Sequence, residues 1–129
     1  MNAREIRAEL LGQHAEIRAL IEEARGGSKT ALVRLGDAVR RHNLREEELL
    51  GQLLPTLDAW GPVRTAIMLE EHVAEHGELY AVLLDATRGQ RAVAELVEHL
   101  LEHMAYEEKT LLAEDLLDDS VVTSDSFGG

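Results

Sequence analysis

Twice in this chain a histidine is followed four residues later by the first of two adjacent glutamates and then by paired leucines. The first copy is His42, Glu46 and Glu47 ahead of Leu49-Leu50; the second is His103, Glu107 and Glu108 ahead of Leu111-Leu112. Four residues is about one helical turn, so each His and the first Glu after it project from the same face. Each pair is a ready-made chelate of one imidazole and one carboxylate. The correspondence reaches further back, where His14-Ala-Glu-Ile-Arg-Ala-Leu-Ile aligns with His76-Gly-Glu-Leu-Tyr-Ala-Val-Leu. The offsets are nearly constant, 62 from His14 to His76 and 61 from His42 to His103, so the chain reads as two copies of one helix pair.

Abundant Ala, Leu, Glu and Arg with only two Pro put the chain in the all-α class. In the first helix Asn2 is the N-cap with Glu5 in the capping-box position, and Ile6, Leu10, His14, Ile17 and Ile21 form one stripe ended by Gly26-Gly27. Ser28 caps a second helix with Leu32, Leu35, Val39, His42, Glu46, Leu49 and Leu53 inward, and Pro55 is expected to stop it. Residues 55–61 form the longest connection, and Pro62 suits the first turn of a third helix. Its stripe is expected at Leu69, His72, Val73, His76, Leu79 and Leu83, with Gly89 closing it. The fourth helix carries Val93, Leu96, Leu100, His103, Glu107 and Leu111 inward. Four helices of about 25 residues joined by short loops predict an up-down-up-down antiparallel four-helix bundle over residues 1–117. Residues 118–129 have no helical period and are expected to be a flexible acidic tail.

In each predicted helix the His lies near the middle, so antiparallel packing brings five of the six His and two Glu to one level. A single His on an apolar stripe is ordinarily a hydrogen-bonded core residue, and a His-to-Glu spacing of four is common on solvated faces. Co-location changes the balance, because burying Glu46 and Glu107 without partners costs several kcal/mol each. A multivalent cation removes that cost. The chain has no Cys, which excludes thiolate sites and disulfides, and imidazole with carboxylate suits iron, manganese or zinc. Seven donors exceed what one ion takes. The net charge of −12, from 25 acidic residues against 13 Lys plus Arg, argues against nucleic acid and anionic membranes as partners. With no apolar run long enough to span a bilayer and no secretory leader pattern, the cytoplasm is the expected location.

Ferritin-like bundles use Glu-x-x-His, but the residues three before each His are Leu11, Val39, Leu69, Val73, Leu96 and Leu100. The pattern His14, His42-x-x-x-Glu46, His72-x-x-x-His76, His103-x-x-x-Glu107 resembles instead the hemerythrin family in its HHE cation-binding form, across about residues 2–117. That resemblance implies a non-haem di-iron centre in the bundle core, with two iron ions bridged by an oxo or hydroxo group and by the carboxylates of Glu46 and Glu107. It implies His72, His76 and His103 on one iron and His14 and His42 on the other, whose sixth position is open to oxygen, nitric oxide or peroxide.

The chain departs from the oxygen carriers of that family. The last pair has a His103-to-Glu107 spacing of four rather than a five-residue His-to-Asp spacing, Asn43 stands where those carriers tend to have Phe, and His99 where they tend to have Trp. A ligand pocket of Ile17, Asn43, His99, Leu100 and Met104 is therefore more polar than stable oxygen carriage requires. Redox, sensing or detoxification chemistry is expected, with modest peroxidase, catalase-like or nitric oxide-related turnover as one form of it; iron handling or storage, or oxygen carriage, is the alternative. His99 reads either as a spare donor one turn from His103 or as a boundary residue without a role, and Tyr106 points sideways. Glu47 and Glu108 are expected to face outward or sideways.

Overall fold

The computed structural model describes residues 1–84 and 89–118. They form four helices: α1 (Ala3–Arg25), α2 (Lys29–Leu57), α3 (Gly61–Leu84) and α4 (Gly89–Lys109). No strand occurs among the described residues. Each helix packs on the next and α4 closes the ring against α1, the four-helix bundle that the sequence predicts. The tail from residue 119 onward, expected to be flexible, lies outside the described residues.

Helix starts follow local chemistry. Asn2 Oδ1 accepts the Glu5 amide at 2.8 Å and Ser28 Oγ accepts the Ala31 amide at 3.1 Å, each satisfying one of the donors a helix start leaves open. Between α1 and α2 the chain reverses through Gly27 at φ 88, a left-handed conformation that glycine adopts without steric cost.

The first correction concerns Pro55, which lies inside α2 rather than ending it. A proline removes one intrahelical hydrogen bond and crowds the preceding turn. Here Leu53 and Leu54 are fully buried and Leu57 packs against the same cluster, so continuing the helix preserves apolar burial worth more than the lost bond. The Thr56 hydroxyl also donates to the Leu53 carbonyl at 2.7 Å. The connection shrinks to residues 58–60, where Asp58 accepts the Trp60 amide and the Arg64 guanidinium.

Apolar residues fill the bundle in two blocks. One holds Ile6, Leu10, Leu50, Leu53, Leu54 and Met68, together with Leu111, Leu112 and Leu117 from the turns after α4. The other holds Ile17, Ile21, Leu35, Val39, Leu79, Leu96, Leu100 and Met104. Along every helix the buried residues between the blocks include polar ones: His14 in α1, His42, Asn43 and Glu46 in α2, His72 in α3, Glu107 in α4. The inward stripe of α3 differs from the expected one. His72 and Leu79 are buried as expected, but Leu69 and Val73 are exposed, and Met68 and Val82 are buried in their place. Apolar residues are spread around this helix, with Ile67, Tyr80 and Leu84 also exposed, so hydrophobic periodicity alone does not fix its rotation.

Candidate metal centre

Between the two apolar blocks, one donor atom from each of His14, His42, Glu46 and Glu107 lies within 4.8 Å of the others, and all four residues are buried. His14 Nε2 and His42 Nε2 face each other at 3.1 Å. The two carboxylates reach in both directions from this group. Glu46 places Oε2 3.1 Å from His42 Nε2 and Oε1 2.9 Å from His72 Nε2. Glu107 places Oε1 3.3 Å from His14 Nε2 and Oε2 3.9 Å from His103 Nε2. Each carboxylate thus spans one imidazole of the His14/His42 pair and one of the His72/His103 pair.

The opposite nitrogens of the same four rings are all held from outside. The Nδ1 of His14 lies 2.7 Å from a Glu108 oxygen, that of His42 2.7 Å from Gln13 Oε1, and that of His72 3.1 Å from a Glu47 oxygen. His103 Nδ1 hydrogen-bonds Glu75, which also accepts from Asn43 Nδ2 at 2.9 Å. Facing acceptors at each site, Nδ1 carries the proton and donates, which turns the lone pair of Nε2 inward when the ring is neutral. Arg18 bonds Glu108 at 2.9 Å and fixes that acceptor in turn. Glu47 and Glu108, expected outward or sideways, are half-buried and orient ring nitrogens; the reason is that each is met by a His from another helix.

Electrostatics follow from this packing. Burial pushes the Glu107 carboxyl up, and adjacent Glu46 adds to the rise. For Glu46 burial also acts upward, but the neighbouring Glu107 carboxyl and the His42 and His72 rings outweigh it and hold the group low. The pair therefore shares one proton, on Glu107. Burial lowers His14. Burial acts the same way on His72 and His103, but Glu46 and Glu47 raise the first, and Glu75 with Glu71 raises the second to about 9. Without a metal, the site balances its carboxylates by protonating these two rings.

Two buried carboxylate oxygens, Glu46 Oε2 and Glu107 Oε2, have no hydrogen-bond partner. A cation among these donors satisfies both, so the residues fit a metal ion held by imidazole and carboxylate.

The remaining expected site residues are placed as follows. His76 faces a separate groove of about 280 Å³ with Asp37, Arg40 and Tyr80, and its buried Nε2 has no partner. His99 is exposed and bonds Glu78 at 2.7 Å. Tyr106 is exposed. A cavity of about 10 Å³ touches His42, His103 and Glu107 and is lined by Ile17, Asn43, Leu100 and Met104, four of the five expected pocket residues, together with Val39 and Glu75. Its volume is about that of one water-sized molecule. The residues that sequence reasoning missed are Gln13, Glu71 and Glu75. The last two lie one before and three after His72, a spacing that puts both on one side of that ring.

No family model, curated protein or solved structure matches the chain. No helix among the described residues is long and apolar enough to cross a membrane.

Proposed function

We propose that this chain is a hemerythrin-like, non-haem di-iron protein that takes a small ligand, oxygen, nitric oxide or peroxide, beside two ions in the middle of the bundle, for redox, sensing or detoxification. One observation carries the reading: four rings have Nδ1 tied to an outer acceptor and Nε2 turned toward two carboxylates that each span both ring pairs. Outer acceptors of this kind accompany metal-ligating histidines, because they fix the tautomer and raise the basicity of the ligating nitrogen. His14 and His42 would hold one ion and His72 and His103 the other, with Glu46 and Glu107 between them.

Iron bound there supplies one-electron redox chemistry and a coordination position for a small molecule. The protein supplies the surroundings. Ile17, Val39, Leu100 and Met104 keep bulk water from the adjoining cavity, whose size admits one small molecule at a time. Glu75 reaches the same cavity while holding His103 Nδ1 and Asn43 Nδ2, so it can accept or return a proton beside the reacting ligand. This polar wall supports turnover or sensing over the alternatives, oxygen carriage and iron storage, because carriage requires a dry pocket. The test is an anaerobic optical titration of the ferrous-loaded protein with oxygen, nitric oxide and peroxide. Saturable spectral changes with at least one are expected; a protein that loads iron but responds to none of them would remove the small-ligand function.

A further inference from the structure

One long face of the bundle is apolar. On the outer side of α3, Val63, Ile67, Val73, Tyr80 and Leu84 are 45–73 % exposed. Trp60, whose carbonyl accepts the Arg64 amide at 2.9 Å and so continues the same helical line, is 66 % exposed. Single exposed apolar residues are ordinary, but these run the length of the helix with alanines and a glycine between them. They present roughly 700 Å² per chain, close to the ~800 Å² that each partner contributes to a stable protein complex.

The spacing on this face is that of a helix pair. From Trp60 to Leu84 the residues on its midline follow one another at alternating steps of three and four, the 3.5-residue repeat by which one helix lies along another. A second copy laid antiparallel, with residue 72 of each at one level, sets bulk against space. Ile67 then meets Gly77, Val63 meets Ala81 and Trp60 meets Leu84 at the rim, each twice about a two-fold axis. A parallel pairing would set Ile67 on Ile67 and Gly77 on Gly77, crowding one end of the seam and leaving a gap at the other. A Cβ at Gly77 would meet nothing of its own chain within 4 Å, so the space there is open to a neighbour. Charge favours the same face. The chain carries −12, so two copies repel most where acids line the contact, and the only charged residue on this midline is Glu70. In the antiparallel register Glu70 lies against Ala74 of the other copy, about one helical turn from the other Glu70.

We propose that this face joins two copies of the chain through an antiparallel α3–α3 pair, giving a two-fold symmetric dimer. His72 is buried on the inner side of the same helix, so each donor cluster faces away from the seam. The dimer is therefore independent of which metal, if any, the clusters hold.

The test is sedimentation velocity of the full-length chain, which is expected to show a dimer at about 50 µM that dissociates on dilution. Gly77→Gln fills the space that Ile67 of the other copy needs and should weaken association about tenfold or more. Its helical content by circular dichroism should match wild type, because the new side chain starts in open space in its own copy. Glu70→Gln removes a repulsion across the axis and should tighten the dimer about threefold. Because the chain has no Cys, the orientation is read directly by mixing Ile67→Cys and Gly77→Cys chains with a short bismaleimide. The two variants should cross-link to each other in preference to themselves. A wild type that stays monomeric at that concentration would overturn the proposal and leave the face to another occupant. A dimer that Gly77→Gln does not weaken, that Glu70→Gln does not tighten, or whose cross-links join like positions would overturn it as well.

Discussion

Raising the pH should destabilise the metal-free protein, and the size of the effect follows from His103. Its ring is 15 % exposed and bonded to Glu75 and Glu71, which lift it from an ordinary 6.5 to about 9. At about 1.4 kcal/mol per pH unit, that gap is worth about 3 kcal/mol. Because the folded value lies above the unfolded one, the stabilisation is fully present below about pH 6.5 and is lost as the pH rises through about 9. His72, raised by Glu46 and Glu47 against the effect of burial, acts with the same sign. So does Glu107, since burial makes the folded state keep a proton that the unfolded chain has released. His14, lowered by burial, works in the opposite direction, but only below about 6.5. Urea unfolding in the presence of a chelator, followed by far-ultraviolet circular dichroism from pH 6.5 to 9.5, should show stability falling by at least about 3 kcal/mol. Glu75→Gln should flatten the slope. Saturating metal should reverse it, because ligating imidazoles must be free of the proton on Nε2. Stability that is level or rises with pH in the metal-free wild type, or a Glu75→Gln slope equal to that of wild type, would refute the assignment.

Three further outcomes are expected. Glu46→Ala and Glu107→Ala should abolish loading of two ions, whereas Glu47→Ala and Glu108→Ala should keep the stoichiometry and weaken binding by about 10–100-fold, as read by chelator competition; identical behaviour of all four would contradict the inner and outer roles. His72→Leu should leave the helical content by circular dichroism unchanged but load one ion more weakly, since the site loses a single imidazole and gains an apolar side chain between Met68 and Leu79. Gly61→Ala should cost about 3 kcal/mol in urea unfolding, because an added Cβ would sit 1.9 Å from the Leu54 carbonyl oxygen and backbone must move to admit it.

Much of the bundle is legible because α1, α2 and α4 each carry a single apolar stripe interrupted once by polar donors. His14, His42, Glu46 and Glu107 lie on those stripes, so periodicity alone brings them together. The third helix is not legible in the same way. Ile67, Leu69 and Val73 compete with Met68, Leu79 and Val82 for the interior, and the helix settles with His72 against the α2 glutamates and Glu71 and Glu75 against α4. What brings Glu71 and Glu75 to the site is a ring on another helix, His103, which no pattern within α3 encodes. The same holds for the outer acceptors. Glu108 meets His14 across 94 residues of sequence and Glu75 meets His103 across 28, contacts that exist only once the helices pack. Pro55 illustrates a local rule outweighed by burial, because the leucines around it gain more from a continued helix than the missing hydrogen bond costs.

The most direct test of the dinuclear reading is Mössbauer spectroscopy of the protein loaded with ⁵⁷Fe, paired with a metal count on the same sample. The two carboxylates that each span both ring pairs predict two irons per chain, coupled into a diamagnetic pair when oxidised. One iron per chain, or two that remain magnetically independent, would contradict it.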